Sequence, residues 1–270
     1  MNQTTSTDPR PVLVTGGTGK TGRRVAARLR AAGRPVRIGS RNGQPPFDWH
    51  DRTTWGPALD GAGAAYLAYS PDLGFTGAAD IVGDLARTAV AAGVRRLVLL
   101  SGRGEAGAAR GEQLVRDSGA DWTIVRAAVF AQNFTEGAFV ESIADGVLPM
   151  PVTDIAEPFI DVDDIADVAT AALLDDRHVG RLYEVTGPRL LTFTEALAIL
   201  VPDRPVAYVH VAPAEMTAGL IAAGLPADEA AELVTLFTTI LDGRNCSVTD
   251  GVQRAIGRAP RDLTAMVEAA

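Results

Sequence analysis

Short apolar runs alternate along the first half of the chain with longer segments in which apolar residues recur at helical spacing. The runs are rich in Val, Leu and Ala and are bounded by turn residues, which is typical of strands buried on both faces of a parallel sheet. Their alternation with helix-length segments predicts crossover helices between parallel strands. The predicted strands span residues 11–15, 35–39, 64–68, 96–100, 122–125, 181–185 and 207–211.

The alternation loosens after about residue 130, where most periodic segments are helical. The predicted helices span residues 20–32, 79–92, 112–118, 134–144, 161–174, 192–200, 213–223 and 227–241. No linker, repeat or low-complexity tract divides the chain, so we predict an α/β fold with a Rossmann-type doubly wound parallel sheet. Residues 1–10 are expected to form a flexible tail and residues 11–270 a single domain. Within it, 130–270 are expected to supply the substrate pocket and a smaller, mainly helical portion that covers the substrate.

The composition is that of a globular protein, with 47% hydrophobic and 21% charged residues. Cys246 is the single cysteine and the three histidines are scattered, so we expect neither a disulfide nor a metal site. The polar N-terminus and the lack of an apolar run of about 18 residues favour a cytoplasmic protein with no membrane partner. A formal net charge of −8 disfavours nucleic-acid binding. The expected partner is a small-molecule substrate, bound by a monomer or homodimer.

Basic residues are concentrated near the N-terminus, although the protein is acidic overall. No Asp or Glu occurs between Asp8 and Asp48, where the chain carries Lys20, Arg23, Arg24, Arg28, Arg30, Arg34, Arg37 and Arg41. This concentration suggests a local site for a small polyanion. An alternative for the arginines of the first predicted helix is a solvated helix face, but Lys20 and Arg41 lie at predicted loop positions.

A glycine-rich segment joins the first predicted strand to the first predicted helix, and it reads Thr15-Gly16-Gly17-Thr18-Gly19-Lys20-Thr21-Gly22. In this position glycines let a pyrophosphate approach backbone N–H groups at the positive end of a helix. The expected cofactor-binding residues of the loop are Gly16, Thr18, Gly19, Lys20, Thr21 and Gly22. A P-loop is excluded, because that motif requires glycine where Val14 stands. The alternative is a glycine-rich turn without a ligand.

The end of the second predicted strand indicates the form of the cofactor. Proteins that bind NAD(H) place an Asp or Glu roughly 20 residues after the glycine loop, where it accepts the ribose 2′-hydroxyl. Here the segment reads Ile38-Gly39-Ser40-Arg41-Asn42 and contains no carboxylate. Ser40 and Arg41 can instead donate to a 2′-phosphate, with Lys20 and Arg37 as weaker contributors. We therefore expect NADP(H), the alternative being that Arg41 is merely solvated.

Four segments together resemble the NmrA-like, atypical short-chain dehydrogenase/reductase family over nearly the whole chain. VLVTGGTGKTGRRV carries Gly16, Gly19 and Gly22 on the glycine positions of the family's GxxGxxG loop. GVRRLVLLSG, DWTIVRAAVFAQNF and PFIDVDDIADVA resemble, in order, three later family segments. The resemblance implies an NAD(P)(H)-binding Rossmann fold. It leaves two activities open, because family members include reductases of quinones, enones or ketones and non-catalytic redox sensors.

The wider superfamily to which that family belongs reduces carbonyls with a Tyr-x-x-x-Lys pair. This chain lacks the pair, because Lys20 is its only lysine and belongs to the glycine loop. Ser101 follows a predicted strand where the superfamily places its serine. It is a candidate for catalysis and for cofactor contact, the alternative being a turn residue. Without the pair, reduction would depend on holding the nicotinamide near the acceptor, with a proton from water or an internal phenol.

The ends of the predicted strands supply the expected substrate pocket, formed by Tyr69, Ser70, Phe130, Gln132, Asn133 and Phe134 beside Ser101, Gly102 and Val129. Phe130 and Phe134 could stack on a planar molecule, the alternative being ordinary packing, and Gln132 or Asn133 could bind its oxygen. Tyr69 is also expected to contact the cofactor, and Asn133 is the second catalytic candidate. We therefore expect an NADPH-dependent reductase of a planar carbonyl or quinone. The alternative is a non-catalytic NADP(H) sensor that acts through protein contacts.

Overall fold

The computed structural model describes residues 8–137 and 139–268 of the chain. The strands in this part are β1 (Val12–Thr15), β2 (Val36–Gly39), β3 (Ala64–Leu67), β4 (Arg96–Gly102), β5 (Asp121–Ala127), β6 (Val147–Met150), β7 (Ala156–Glu157), β8 (Arg181–Val185), β9 (Leu191–Thr192) and β10 (Ala207–His210). The helices are α1 (Lys20–Ala31), α2 (Trp55–Leu59), α3 (Ala78–Ala91), α4 (Ala106–Arg116), α5 (Asn133–Glu136), α6 (Val140–Ala144), α7 (Val162–Leu174), α8 (Phe193–Leu200), α9 (Pro213–Ala222), α10 (Ala227–Ile240), α11 (Gly251–Ile256) and α12 (Leu263–Glu268), with 3₁₀ turns at Arg52–Thr54 and Asp176–His178.

One parallel sheet forms the centre of the molecule, with the strand order β2-β1-β3-β4-β5-β8. Because β2 and β3 lie on opposite sides of β1, the chain reverses its direction across the sheet at this point. The loops after β1 and β3 therefore diverge and leave a crevice at the carboxyl ends of the strands, where ligands of such folds bind. The predicted Rossmann-type doubly wound fold is confirmed.

Helices cover both faces of this sheet, because successive strand residues point to opposite sides. On one face α1 and α7 bury Leu29 and Ile165 against Val14 of β1. On the other face α3 and α4 bury Leu85 and Val115 in a second core. Both faces of the sheet thus carry an apolar core, which explains the continuous apolar runs of the strands.

Three arginines of α1, Arg23, Arg24 and Arg28, pair with acidic side chains instead of facing solvent alone. Arg24 Nε donates to Asp163 of α7 at 3.0 Å, and Arg28 Nη2 donates to the same carboxylate at 2.7 Å. Arg23 and Arg24 also pair with Glu136. These arginines therefore hold α1 against its neighbours and are not part of a polyanion site, which corrects the broader expectation for the basic segment.

The second half of the chain departs most from the predicted elements. The segment 134–144 was expected to be one helix, but α5 and α6 are separate, with Gly137 extended between them (φ −143°, ψ −151°). A Cβ on Gly137 would lie 2.5 Å from Lys20 Nζ, so the break leaves room for that ammonium group. The helix predicted at 112–118 begins earlier, at Ala106. The short strands β6, β7 and β9 were not predicted.

The predicted N-terminal tail falls largely outside the described residues, which begin at Asp8. Within the described part of the chain, no helix combines the length and the apolar character needed to cross a bilayer.

Candidate cofactor and substrate site

The glycine loop turns tightly between β1 and α1. Gly16 has a φ of +60°, a conformation that favours glycine, and its carbonyl accepts the N–H of Gly19 at 2.9 Å. A Cβ on Gly22 would overlap this same carbonyl, so Gly22 allows the helix to pack under the loop. The first turn of α1 has no acidic residue, and its N-cap, Gly19, offers no side chain to the free N–H groups. These donors fit a pyrophosphate.

A cleft of about 630 Å³ opens beside this loop. Most predicted cofactor residues line it, namely Gly16, Thr18, Gly19, Lys20, Thr21, Ser40, Arg41 and Tyr69. The predicted pocket residue Ser70 lines this cleft as well. Gly22 is buried beneath the loop and Ser101 lines a neighbouring cavity, so neither lines this cleft, and their contacts with the cofactor stay predictions.

Ser40 and Arg41 lie at the carboxyl end of β2, on the wall of the cleft. Arg41 is exposed there, whereas Arg37 donates to the carbonyls of Ala58 and Asp60 at 2.7 Å. Arg37 is thus committed to the end of α2 and cannot reach a cofactor, contrary to its expected weak contribution. Two carboxylates, Asp48 and Glu229, also line the cleft, and Asp48 accepts the backbone N–H of His50 at 2.9 Å.

A second cavity, of about 300 Å³, adjoins the cleft. The two share Lys20, Tyr69, Pro71, Leu100 and Phe130, so one molecule in each would meet at these residues. Much of the remaining wall is apolar, and helix α10 supplies Leu233, Leu236, Phe237 and Ile240. This helix was expected to belong to the portion covering the substrate.

Lys20 and Asn133 connect the two cavities. Lys20 Nζ donates to Asn133 Oδ1 at 2.6 Å, and both residues line the second cavity. Burial lowers the pKa of the Lys20 ammonium, against the opposing effect of Glu136. Lysine can only donate, so the amide oxygen of Asn133 must face it and Nδ2 must point away. Asn133 Nδ2 donates to none of the described residues and remains available for an acceptor.

Ser101 lines the second cavity but has a partner of its own. Its hydroxyl donates to Glu112 Oε1 at 2.8 Å, and Arg126 Nη2 donates to Oε2 of the same carboxylate at 2.6 Å. Because its proton is committed to a buried carboxylate, Ser101 is a structural link at the end of β4 and not a free donor to a substrate. This corrects the catalytic expectation for Ser101.

Two other predicted pocket residues lie outside both cavities. Phe134 is 2% exposed and packs among Phe139, Phe159 and Phe193 at ring-centre distances from 5.3 to 5.9 Å. Gln132 Nε2 donates to Asp161 Oδ1 at 2.8 Å, and its Oε1 accepts the N–H of Val162. The stacking role predicted for Phe134 is therefore wrong, because this ring is packed in an aromatic core. The substrate-binding role predicted for Gln132 is also wrong, because its amide is hydrogen-bonded to the start of α7.

Among the tyrosines, Tyr69 alone lines these cavities in the described chain. Tyr183 bonds to His178 at 2.8 Å, Tyr208 donates to Val152 O, and Tyr66 is completely buried. Burial raises the pKa of the Tyr69 hydroxyl, and the carboxylate of Glu232 adds to this rise. No lysine activates Tyr69 as in the usual pair, since the ammonium of Lys20 is bound to Asn133.

Asp72 and Glu105 also line the second cavity, and the sequence interpretation overlooked them. Asp72 follows β3 and Glu105 follows β4, so both carboxyl groups stand past the carboxyl ends of neighbouring parallel strands. Their position after two strands of the sheet was the sequence signal that could have identified them. Burial raises the pKa of both carboxyl groups, and for Glu105 the neighbouring Asp72 raises it further.

Comparison with known proteins gives relatives along nearly the whole chain, although no family model matches it. The oxidoreductase YesF of Bacillus subtilis is 34% identical, and the match covers 94% of this chain and 93% of that protein. The (4-alkanoyl-5-oxo-2,5-dihydrofuran-3-yl)methyl phosphate reductase of Streptomyces griseus is also 34% identical, covering 93% of this chain and 94% of its own length.

Solved structures share the fold at lower identity. Triphenylmethane reductase of Citrobacter sp., complexed with NADP(H), superposes with a TM-score of 0.75 at 20% identity, over 96% of this chain and 99% of its own. The NADPH-dependent quinone oxidoreductase of Escherichia coli gives 0.73 at 22% identity, with the same coverage. These likenesses agree with the glycine loop, the strand order and the motifs quoted above. The chain belongs to the NmrA-like, atypical short-chain dehydrogenase/reductase family, whose members are NAD(P)-binding Rossmann proteins.

Proposed function

We propose that this protein is an NADPH-dependent reductase of a planar carbonyl or quinone-type small molecule. One observation carries the proposal: the cleft beside the glycine loop and the second cavity meet at Lys20, Tyr69 and Phe130. A reductase needs this arrangement, because the nicotinamide and the acceptor must approach within van der Waals contact. A sensor that acts through protein contacts has no need of a second cavity joined to the cofactor cleft.

The cofactor is assigned from the residues that line its cleft. The free N–H groups at the start of α1 suit a pyrophosphate, and Ser40 and Arg41 suit a 2′-phosphate at the far end of the cleft. When bound, NADPH supplies a hydride to the acceptor. The names of both 34% identical relatives are those of oxidoreductases, which agrees with this assignment.

The substrate class follows from the second cavity. Its walls are mostly aliphatic and aromatic, with Phe130 and Phe237 among them, and α10 contributes four of the apolar side chains. Such a site favours a molecule with a large apolar surface and few polar atoms. The Nδ2 group of Asn133, oriented by Lys20, is the donor that we assign to the acceptor's oxygen. Asn133 thereby keeps the role expected of it, while Phe130 and Tyr69 flank the acceptor.

The proposal is tested by following NADPH oxidation with a panel of quinones and polycyclic ketones. At least one acceptor should be reduced well above the uncatalysed rate, and a protein carrying Gly19→Val should not exceed it. If no acceptor is reduced, although NADPH binds and changes the affinity for a partner protein in a pull-down, the sensor alternative replaces the proposal.

A further inference from the structure

The carboxyl groups of Asp72 and Glu105 form a pair in the wall of the second cavity. Asp72 lies in the loop after β3, and Glu105 is the N-cap residue of α4. The two groups lie close together, since a Cβ on Gly74 would contact an oxygen of each, and they border the same space as Asn133 and Tyr69. They are the two acidic residues among those that line this cavity.

Nearby donors do not satisfy this pair. Asp72 Oδ1 accepts the N–H of Gly74 at 2.7 Å, but Glu105 Oε2 is buried without a hydrogen-bond partner among the described residues. The two cations of the cavity wall are engaged elsewhere, Lys20 with Asn133 and Arg103 with Glu184. Two facing carboxylates with no donor between them repel, whereas one proton shared between them supplies the missing hydrogen bond.

Glycines on both sides make room for the Glu105 carboxyl group. A Cβ on Gly102 would overlap Glu105 Oε1, and a Cβ on Gly74 would lie 2.9 Å from Oε2 and 3.2 Å from Asp72 Oδ1. The pair is therefore held between β4 and the loop after β3. The pair faces the second cavity, and the side chains that α10 contributes to that cavity are apolar.

We propose that Glu105, with its proton held by Asp72, is the proton donor of the reduction. The inference rests on the proposed function and supplies the acid that the absent Tyr-x-x-x-Lys pair would have provided. The carbonyl carbon gains the hydride and its π electron pair moves onto the oxygen. The Glu105 O–H bond then breaks and gives that oxygen its proton. The product is the alcohol, Glu105 is left as a carboxylate, and solvent returns its proton after the product leaves.

The surroundings keep this acid protonated at neutral pH. Burial raises the pKa of Glu105, and the negative groups facing it, Asp72 and Glu112, raise it further. Burial likewise raises the pKa of Asp72, opposed by the Gly74 N–H. A general acid of this kind is worth about 10²–10⁴-fold in rate.

Glu105→Gln tests the inference, because it keeps the shape of the side chain and removes the acid. Infrared spectroscopy of the protein without substrate should show a protonated-carboxyl band at pH 7 that is missing in Glu105→Gln. With an acceptor from the panel, kcat/KM of the variant should fall at least about 100-fold, with the NADPH affinity unchanged. The alkaline limb of the pH profile should disappear. Glu215→Gln, on the exposed face of α9, is the matched control and should match the unmodified protein.

Asp72→Asn provides a second test, in which the alkaline limb of the pH profile should move instead of disappearing. Removing the neighbouring negative charge should lower the pH at which the alkaline limb begins, because Glu105 then ionises more easily. The inference is overturned if the infrared band is absent or does not depend on Glu105. It is also overturned if Glu105→Gln keeps its turnover within about threefold and its alkaline limb. Failure of the unmodified protein to reduce any acceptor would instead overturn the proposed function, a result that the infrared band does not affect.

Discussion

Lys20 at the start of α1 donates a hydrogen bond of 2.6 Å from Nζ to Oδ1 of Asn133, which begins α5. The bond joins the cofactor loop to the segment after β5, two parts of the chain that are 113 positions apart. It fixes the orientation of the Asn133 amide, so that Nδ2 points away from Lys20. The sole lysine of the chain thus positions the residue assigned to the substrate oxygen instead of activating a tyrosine.

Lys20→Met should lower kcat/KM by about 10- to 100-fold, because a hydrogen bond to a charged group contributes about 1.5–3 kcal/mol. Asn133→Ala should have a similar effect. The kcat/KM of the double variant should be no lower than that of the less active single variant, since both changes remove the same interaction. Steady-state kinetics of the four proteins measures this coupling. Fully additive losses would show that the two residues act independently.

Arg41→Ala should remove most of the preference for NADPH over NADH. We expect the unmodified protein to bind NADPH at least about tenfold more tightly, as for a charge-assisted pair with the 2′-phosphate. Arg37→Ala is the matched control, because Arg37 is bonded to the end of α2 and should not alter the preference. Titration calorimetry with both cofactors gives the two affinities of each of the three proteins. Equal affinities of the unmodified protein for NADPH and NADH would contradict the assignment.

Gly19→Val and Gly22→Val should separate ligand contact from loop packing. Gly19 is exposed and extended, and a Cβ there meets only the Gly16 carbonyl, at 3.2 Å. Its variant should lose NADPH binding with a nearly unchanged Tm. A Cβ on Gly22 would overlap that carbonyl, so its variant should also lose stability, by about 1–3 kcal/mol. Thermal unfolding and NADPH titration distinguish the two, and equal Tm losses would refute the distinction.

Glu105→Gln should also flatten the dependence of stability on pH. The folded state raises the pKa of Glu105 above its ordinary value of 4.5, so it retains a proton that the unfolded chain releases. This contribution is complete below about pH 4.5 and is lost as the pH rises towards the raised pKa. The free energy of unfolding should therefore fall by up to about 1.4 kcal/mol per pH unit in that window. Urea unfolding of Glu105→Gln and Glu215→Gln from pH 5 to pH 8 measures it. Identical slopes would contradict a protonated Glu105.

The cofactor half of the site was predictable because it follows the chain locally. The glycine loop, α1 and the end of β2 all lie within the first 41 residues, so the residues that form this half of the site are close together in sequence. Arg41 was placed correctly on the wall of the cleft, whereas Arg37, two residues after Pro35, points to α2 instead. Arg37 lies within β2 and Arg41 follows the end of that strand, and sequence spacing alone could not decide which of the two arginines faces the ligand.

The substrate half was only partly predictable because its walls come from distant segments. Phe134 and Asn133 are neighbours in sequence, yet one enters an aromatic core and the other faces the cavity. Helix periodicity could not reveal this, since Gly137 interrupts the helix to admit Lys20. Asp72 and Glu105 were missed because each is an ordinary loop carboxylate in sequence. Their pairing arises from the adjacency of β3 and β4.

Transfer of deuterium from NADPH labelled at C4 is the most direct test of the central claim, that the joined cleft and cavity support reduction. The protein is mixed with each 4-deuterated epimer of NADPH and an acceptor from the quinone and polycyclic ketone panel, and the product is analysed by mass spectrometry. The proposal predicts that a carbonyl product carries one deuterium on carbon from one epimer only, because the acceptor contacts one face of the nicotinamide. Transfer from neither epimer to any ketone, together with no catalysed oxidation of NADPH by any quinone, would contradict it.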